Sequence, residues 1–237
     1  MKNIVIVTAK GGNTSIENKN IIPVLGFPVV LYPIRAAKLA LKVDDVYIST
    51  EDKFIKDLAI KEGIKIIDRP VELSTPKSQH KDVIKHAVKA IDCDDNDNIT
   101  VLLGNTVMCT PNLIDNGFEM LTKEDCDSVL SAWKAQDDHP YRALKIDNGY
   151  IKSFNNNTDC SSNRQDYPDI YYYDQGIWVF KKYCALEEKG PAPWVWLGTK
   201  CKMIERPWVT GRDIHSWIDV SASIWYLNQI QAYESSM

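Results

Sequence analysis

Four times within its first 134 residues the chain passes from an apolar, β-branched stretch to an amphipathic one. The apolar runs predict strands over 3–8, 44–50, 64–67, 98–104 and 127–134, and the helical periodicity predicts helices over about 29–41, 52–62, 80–91 and 111–121. Strand followed by helix, repeated in this way, is the pattern of a mostly parallel sheet with helices on both faces. In such sheets ligands sit at the carboxyl ends of the strands.

Beyond residue 135 the pattern changes. The segment Lys134 to Pro140 leads into an expected hairpin, residues 142–146 and 150–154 about the turn Asp147-Asn148-Gly149, followed by a polar run from Asn155 to Arg164. A strand over 171–180, a short helix near 181–188, a strand near 200–206 and a helix over about 219–233 complete the expected elements.

With 237 residues the chain has room for one large α/β domain, with or without a small appendage, and for an ample core. Its 28 basic and 32 acidic residues are interspersed, for a net charge of −4, so no basic surface points to nucleic acid. A small charged ligand suits this balance better. Six cysteines (Cys93, Cys109, Cys126, Cys160, Cys184, Cys201) show no CxxC spacing, which argues against both zinc and a disulfide framework. No apolar run reaches the roughly 18 residues needed to span a bilayer, and the first 20 residues lack a charged segment leading into an apolar core. The expectation is a cytoplasmic protein without a membrane partner.

The first strand runs straight into Ala9-Lys10-Gly11-Gly12-Asn13-Thr14-Ser15, with Lys19-Asn20 close behind. A buried strand that stops at a glycine pair lets backbone N–H groups approach an anion, and Lys10 and Lys19 add positive charge at the same place. That combination suits a triphosphate. The same glycines also serve a strand-to-helix turn that only needs close packing.

The stretch 9–20, followed by Pro23, Leu25-Gly26 and Pro28, resembles the signature of the acylneuraminate cytidylyltransferase family, which makes CMP-activated sialic-type sugar acids. The family loop reads A-R-G-G-S-K-G-I-P-x-K-N. Gly11-Gly12, Ile16 and Lys19-Asn20 match it, whereas Lys10 replaces its Arg, Thr14 its Lys and Glu17 its Pro. Lys10 keeps the charge without the planar two-pronged grip of a guanidinium, and Thr14 removes a cation.

Later pieces of the resemblance come in the family's order. Ser49-Thr50-Glu51-Asp52 is similar to S-T-D-D, and Arg69-Pro70-Val71-Glu72-Leu73 to R-P-A-E-L, which implies a contact of Arg69 with the cytidine; Ser78 just beyond is a further nucleotide-binding candidate. Leu102-Leu103-Gly104-Asn105-Thr106 replaces the family's L-Q-P-T-S, an element that holds nucleotide and acceptor, and leaves Asn105 as a polar contact. Arg164-Gln165-Asp166 is similar to R-Q-D, where the arginine faces the acceptor carboxylate, and Arg142 is a second candidate for that role. Gly176-Ile177-Trp178 is similar to the end of N-G-A-I-Y. Asp213-Ile214-His215 aligns with D-I-D, whose two aspartates, two apart on a strand, share one face and one Mg²⁺. His215 in the second place implies a single-carboxylate Mg²⁺ site or a shift towards Mn²⁺, while Asp219 is expected to cap the last helix.

The implied protein is a single domain over 1–237. Its expected fold is three-layer α/β/α with a mixed, mostly parallel sheet of the nucleotide-diphospho-sugar transferase type, and an arm near 135–170 that in this family packs against a second subunit. The implied reaction moves CMP from CTP to a sialic-type sugar acid, catalysed by Lys10, Lys19 and Asp213. The nucleotide would be held by residues 9–13, Lys19, Asn20, Arg69, Ser78 and Asn105, the acidic acceptor by Arg142, Arg164 and Gln165, and the metal by Asp213 and His215. Acceptors such as 3-deoxy-manno-octulosonate or a phosphonate, and a nucleotide-binding homologue without turnover, are the alternatives. The tryptophan cluster Trp178, Trp194, Trp196, Trp208, Trp217 and Trp225 is expected to be mostly core, with one or two of the rings lining an acceptor pocket.

Overall fold

The structure, a computed structural model, describes residues 1–12, 15–155 and 161–234, with the side chains of 231–234 left aside. Asn13, Thr14 and Cys160 therefore lie outside the described residues. Seven strands form the central sheet: β1 (Asn3–Thr8), β2 (Asp45–Thr50), β3 (Lys65–Asp68), β4 (Asn98–Leu103), β5 (Ser128–Lys134), β6 (Tyr171–Lys181) and β7 (Cys201–Glu205). Their spatial order is β7-β5-β6-β4-β1-β2-β3. The pairs around β1, together with β2–β3 and β5–β7, are parallel, and β6 runs antiparallel to both its neighbours. The sheet is mixed and mostly parallel, as the alternation of elements requires.

β1 shows why the domain has three layers. Ile4, Val5, Ile6 and Val7 are all fully buried, but alternate residues of a strand face opposite ways. Val5 and Val7 join Ile34 of helix α1 (Leu31–Leu39) and Ile114 and Phe118 of helix α4 (Pro111–Lys123) in one core. Ile4 and Ile6 join Ile84 and Val88 of helix α3 (His80–Ala90) and Phe180 of β6 in the other. Helix α2 (Lys53–Lys61) packs Ile55 and Ala59 into the first core, and the short helix α5 (Lys182–Glu187) packs Cys184 and Ala185 into the second. Truncating a residue such as Ile6 to Ala would cost about 2–5 kcal/mol. The last helix, α6 (Trp217–Glu234), seals a smaller cluster through Val220 on Val24, Val107 and Ile214.

Two expectations are corrected. Residues 213–215 lie in a bend ahead of α6 rather than on a strand, so strand alternation is not what brings their side chains together. Trp208, Trp217 and Trp225 are 47%, 66% and 55% exposed, so half of the cluster expected to be mostly core stands outside it. The hairpin does form, from Leu144–Asp147 and Tyr150–Ser153, with Asn148 and Gly149 at φ 50° and 82° as a tight reversal of this kind requires. Among the described residues no helix is long and apolar enough to cross a membrane.

Candidate active site

A cleft of about 420 Å³ opens where β1, β4 and β6 meet the loops that follow the parallel strands. Lys10, Lys19, Asn20, Asn105, Asp213 and His215 line one part of it. Arg69 and Ser78 line it as well. Residues as far apart in sequence as Lys10 and His215 are thus brought to one place by the sheet.

The amino-terminal loop is tightly held. Ala9 continues β1 by donating its N–H to Ser49 O at 3.1 Å, and the buried Asn20 side chain donates to Lys10 O at 2.8 Å. Gly12 sits at φ 59°, which only glycine adopts without strain. The Gly11 N–H, however, donates at 2.8 Å to Glu51 Oε1, whose other oxygen accepts from Ser74 Oγ at 2.6 Å. A carboxylate thus holds the amide that the glycine-loop reading assigns to a phosphate. Ala9, Gly11 and Gly12 shape the loop from outside the lining.

Lys19 is 9% exposed, and burial pushes its ammonium pKa down against the opposing pull of Asp213. Its Nζ lies 3.5 Å from His215 Nδ1, while His215 Nε2 lies 2.8 Å from Asp213 Oδ2. Asn105 Nδ2 donates to the same Asp213 oxygen at 2.8 Å and to Ile214 O at 3.0 Å. Burial alone would raise the Asp213 pKa; the hydrogen bonds from His215 and Asn105 and the charges of His215 and Lys19 outweigh it and hold the carboxyl below its usual range. The arrangement keeps one carboxylate ionised, hydrogen-bonded by His215 and Asn105 with the Lys19 ammonium nearby.

Arg69 is buried against Ser49, donating from Nε to Oγ at 3.1 Å and from Nη2 to the carbonyl at 2.6 Å. Burial lowers its pKa to about 10, with Glu51 opposing, so it stays charged at neutral pH. Ser78 Oγ is committed locally, donating to Glu72 O at 2.9 Å.

Sequence reasoning missed His80 and Gln175. His80 opens α3, lies 3.2 Å from Thr8 Oγ1 through Nε2, and packs against the rings of Trp178 and Trp196 at 5.3 and 5.7 Å. Burial and the nearby Arg69 charge bring its pKa down to about 4, which leaves it neutral at pH 7. Its place two residues beyond Ser78 was the available signal. Trp178, Trp194 and Trp196 line the cleft, which settles which tryptophans face it. Arg142, Arg164 and Gln165 do not line it: both arginines pair with Asp137 Oδ1, at 3.1 and 3.2 Å, and Gln165 borders a separate hollow with His139 and Asp169. Within one chain, the expected acceptor-binding residues stand apart from the expected nucleotide-binding ones.

A family model described as cytidylyltransferase matches residues 4–175, which span the amino-terminal loop, Arg69, Asn105 and the arm. The chain belongs to the cytidylyltransferase family. It is 28% identical over 192 residues to the N-acylneuraminate cytidylyltransferase of Streptococcus agalactiae serotype III (strain NEM316), a match that covers 80% of this chain and 46% of that one. It is 26% identical over 192 residues to a Helicobacter pylori protein named as a pseudaminic acid cytidylyltransferase and UDP-sugar hydrolase, covering 81% of this chain and 37% of the other. The chain spans about half the length, or less, of these curated relatives. Among solved structures, the synthetase of CMP-2-keto-3-deoxy-manno-octonic acid in complex with CTP superposes with a TM-score of 0.70 at 12% identity, covering 97% of this chain and 99% of that one. The 4-diphosphocytidyl-2C-methyl-D-erythritol synthase of Anaerococcus prevotii gives 0.67 at 16% identity, covering 96% of each. These structures share the cytidylyltransferase fold.

Proposed function

We propose that this chain transfers CMP from CTP to a sialic-type sugar acid and releases pyrophosphate. One observation carries the reading: the amino-terminal loop and the far carboxylate Asp213 converge in a single cleft, with Lys19 and Asp213 bridged by His215. Family membership and relatives named for N-acylneuraminate and pseudaminic acid favour this acceptor class over others.

The acceptor oxygen attacks the α-phosphorus of CTP in line, and pyrophosphate leaves. Such a transfer calls for positioning and charge neutralisation more than for covalent help from the protein. Lys10 and Lys19 supply fixed positive charge for the phosphates, Arg69 and Ser78 face the nucleoside, and Asn105 orients Asp213.

The donor set suits a hard divalent ion held chiefly by the nucleotide. Among the described residues Asp213 is the one acidic side chain lining the cleft, and no cluster of three or more His, Cys, Asp or Glu is placed to hold a metal by itself. Mg²⁺ is commonly bound by one or two carboxylates together with substrate phosphates, and Asp213 supplies such a carboxylate. Once bound it would neutralise charge developing on the triphosphate. His215, with one nitrogen towards Asp213 and the other towards Lys19, is placed to orient the carboxylate; if it joined the coordination, Mn²⁺ would be favoured.

The active form is proposed to be a cytoplasmic homodimer in which the arm of one subunit brings Arg142 and Arg164 to its partner's cleft. The exposed apolar face of the hairpin supports this. The test is a pyrophosphate-release assay with CTP, Mg²⁺ or Mn²⁺, and a panel holding N-acetylneuraminate, pseudaminate and 3-deoxy-manno-octulosonate. Release with the nine-carbon acids is expected. Release only with 3-deoxy-manno-octulosonate would reassign the acceptor, and CTP binding without release for any acceptor would make the chain a nucleotide-binding homologue.

A further inference from the structure

The sheet contains a buried ion pair that none of these roles uses. Asp174 on β6 is fully buried and accepts from Arg206, just past β7, with Nη1 2.8 Å from Oδ2. Its other oxygen accepts from Ser131 Oγ of β5 and, at 2.8 Å, from the Gly176 N–H. Ser131 Oγ also accepts the Ile177 N–H at 2.9 Å. The second arm of Arg206, Nη2, donates to Met108 O at 2.6 Å. Taking two charges out of water is costly and seldom a net source of stability, so a fully bonded buried pair calls for another reason.

The backbone of β6 supplies it. Between Tyr173 and Trp178 the register with β5 slips, and Gln175 takes φ 60°, a left-handed conformation unfavourable for a residue with a side chain. Bulges of this kind re-aim side chains beside active sites. At Gly176 a Cβ would fall 2.2 Å from Arg206 Nη1 and 2.7 Å from Ser131 Oγ, so the pair packs on bare backbone. Gln175 consequently lines the cleft, and its carbonyl accepts from Thr106 Oγ1 at 3.4 Å. Thr106 and Met108 follow Asn105, the residue that holds Asp213. One guanidinium therefore ties the bulge to the segment that orients the carboxylate.

We infer that Asp174 and Arg206 are positioning residues that hold Gln175, against its own backbone preference, in the wall built by β6 and residues 193–196, and so set the affinity for the acceptor while leaving that for CTP unchanged. The inference rests on the cytidylyl-transfer reading. It predicts that the side chain of Gln175 and the Arg206 link act through one another.

The experiment is a double-mutant cycle on the full chain with Gln175→Gly and Arg206→Lys. It reads pyrophosphate release with N-acetylneuraminate, CTP binding by calorimetry, and thermal melting. Gln175→Gly relieves the strained φ while removing the side chain, so its melting temperature should equal or exceed that of the wild type while the acceptor KM rises about tenfold, the loss of roughly one hydrogen bond. Arg206→Lys keeps the charge facing Asp174 but loses the second arm, and should raise the acceptor KM with CTP affinity within about twofold of wild type. The double variant should be no worse for the acceptor than Gln175→Gly alone. Should Arg206→Lys not accumulate as folded protein, Ser131→Ala takes its place in the cycle. Additive effects, equal losses for CTP and acceptor, or an unchanged acceptor KM in Gln175→Gly would overturn the inference while wild-type turnover stands. A wild-type chain that binds CTP but releases no pyrophosphate with any acceptor removes the cytidylyl-transfer reading, and the inference with it.

Discussion

Asp213 concentrates the proposed chemistry because it is the one acidic residue lining the cleft among the described residues and is kept ionised by its neighbours. Replacing it with Asn keeps the shape but removes the charge, and turnover in the pyrophosphate assay should fall by about 100-fold or more. A variant with unchanged turnover would remove Asp213 from the site. Asp213 was legible in the sequence because it sits in a short motif near the chain's end. The Glu51 hold on the Gly11 amide was not, since it joins loops 40 residues apart and depends on how two neighbouring strands end. His80 was passed over for the same reason: its partners Thr8, Trp178 and Trp196 come from elements scattered along the chain.

At the scale of elements, the departure from the family pattern at Gly104 has a structural cause. Gly104 ends β4 so close to β1 that a Cβ would lie 2.6 Å from Ala9 Cβ and 3.2 Å from Thr8 O. Gly104→Ala should cost about 1–3 kcal/mol in denaturant unfolding and weaken CTP binding by pushing on the amino-terminal loop. Asp219 does cap α6, from its first turn: Oδ2 accepts from Ser216 N and Oγ at 2.8 and 2.7 Å, and Oδ1 accepts from Arg212 Nε at 2.8 Å. Asp219→Ala should lower stability by about 1–2 kcal/mol, seen as a lower melting temperature. Asp127, just before β5, accepts from the N–H groups of Thr199 and Lys200 and from Tyr183 Oη. Burial works against its ionisation, but these hydrogen bonds win and bring its pKa to about 2. The folded value lies below the unfolded one, so the stability Asp127 adds is fully present above pH 3.8 and is lost as the pH falls towards 2. The melting temperatures of wild type and Asp127→Asn should therefore differ at pH 6 and converge near pH 2.

For the whole molecule, the hairpin is the part a lone chain leaves unsatisfied. Ile146 pairs with Ile151 across the two strands, and Leu144 shares their face; the three are 80%, 71% and 66% exposed. A contiguous apolar face of this kind marks an interaction surface. The expected outcome is a dimer by light scattering that Ile146→Glu with Ile151→Glu converts to monomer, together with a loss of acceptor use but not of CTP binding. Monomeric wild type at assay concentration would sink the dimer proposal.

The strand–helix alternation, the buried first strand, the hairpin turn and the family membership were all readable in sequence, because each depends on residues within one turn or strand of each other. Tertiary structure decided the rest: that Lys19 and Asn105 meet Asp213 and His215, that Gly11 is claimed by Glu51, that Arg142 and Arg164 stand away from their own chain's cleft, and that Asp174 and Arg206 close a buried pair behind Gln175. The physical reason is range. Periodicity and turn chemistry act between near neighbours, whereas these contacts form only when the sheet has set strands distant in sequence side by side.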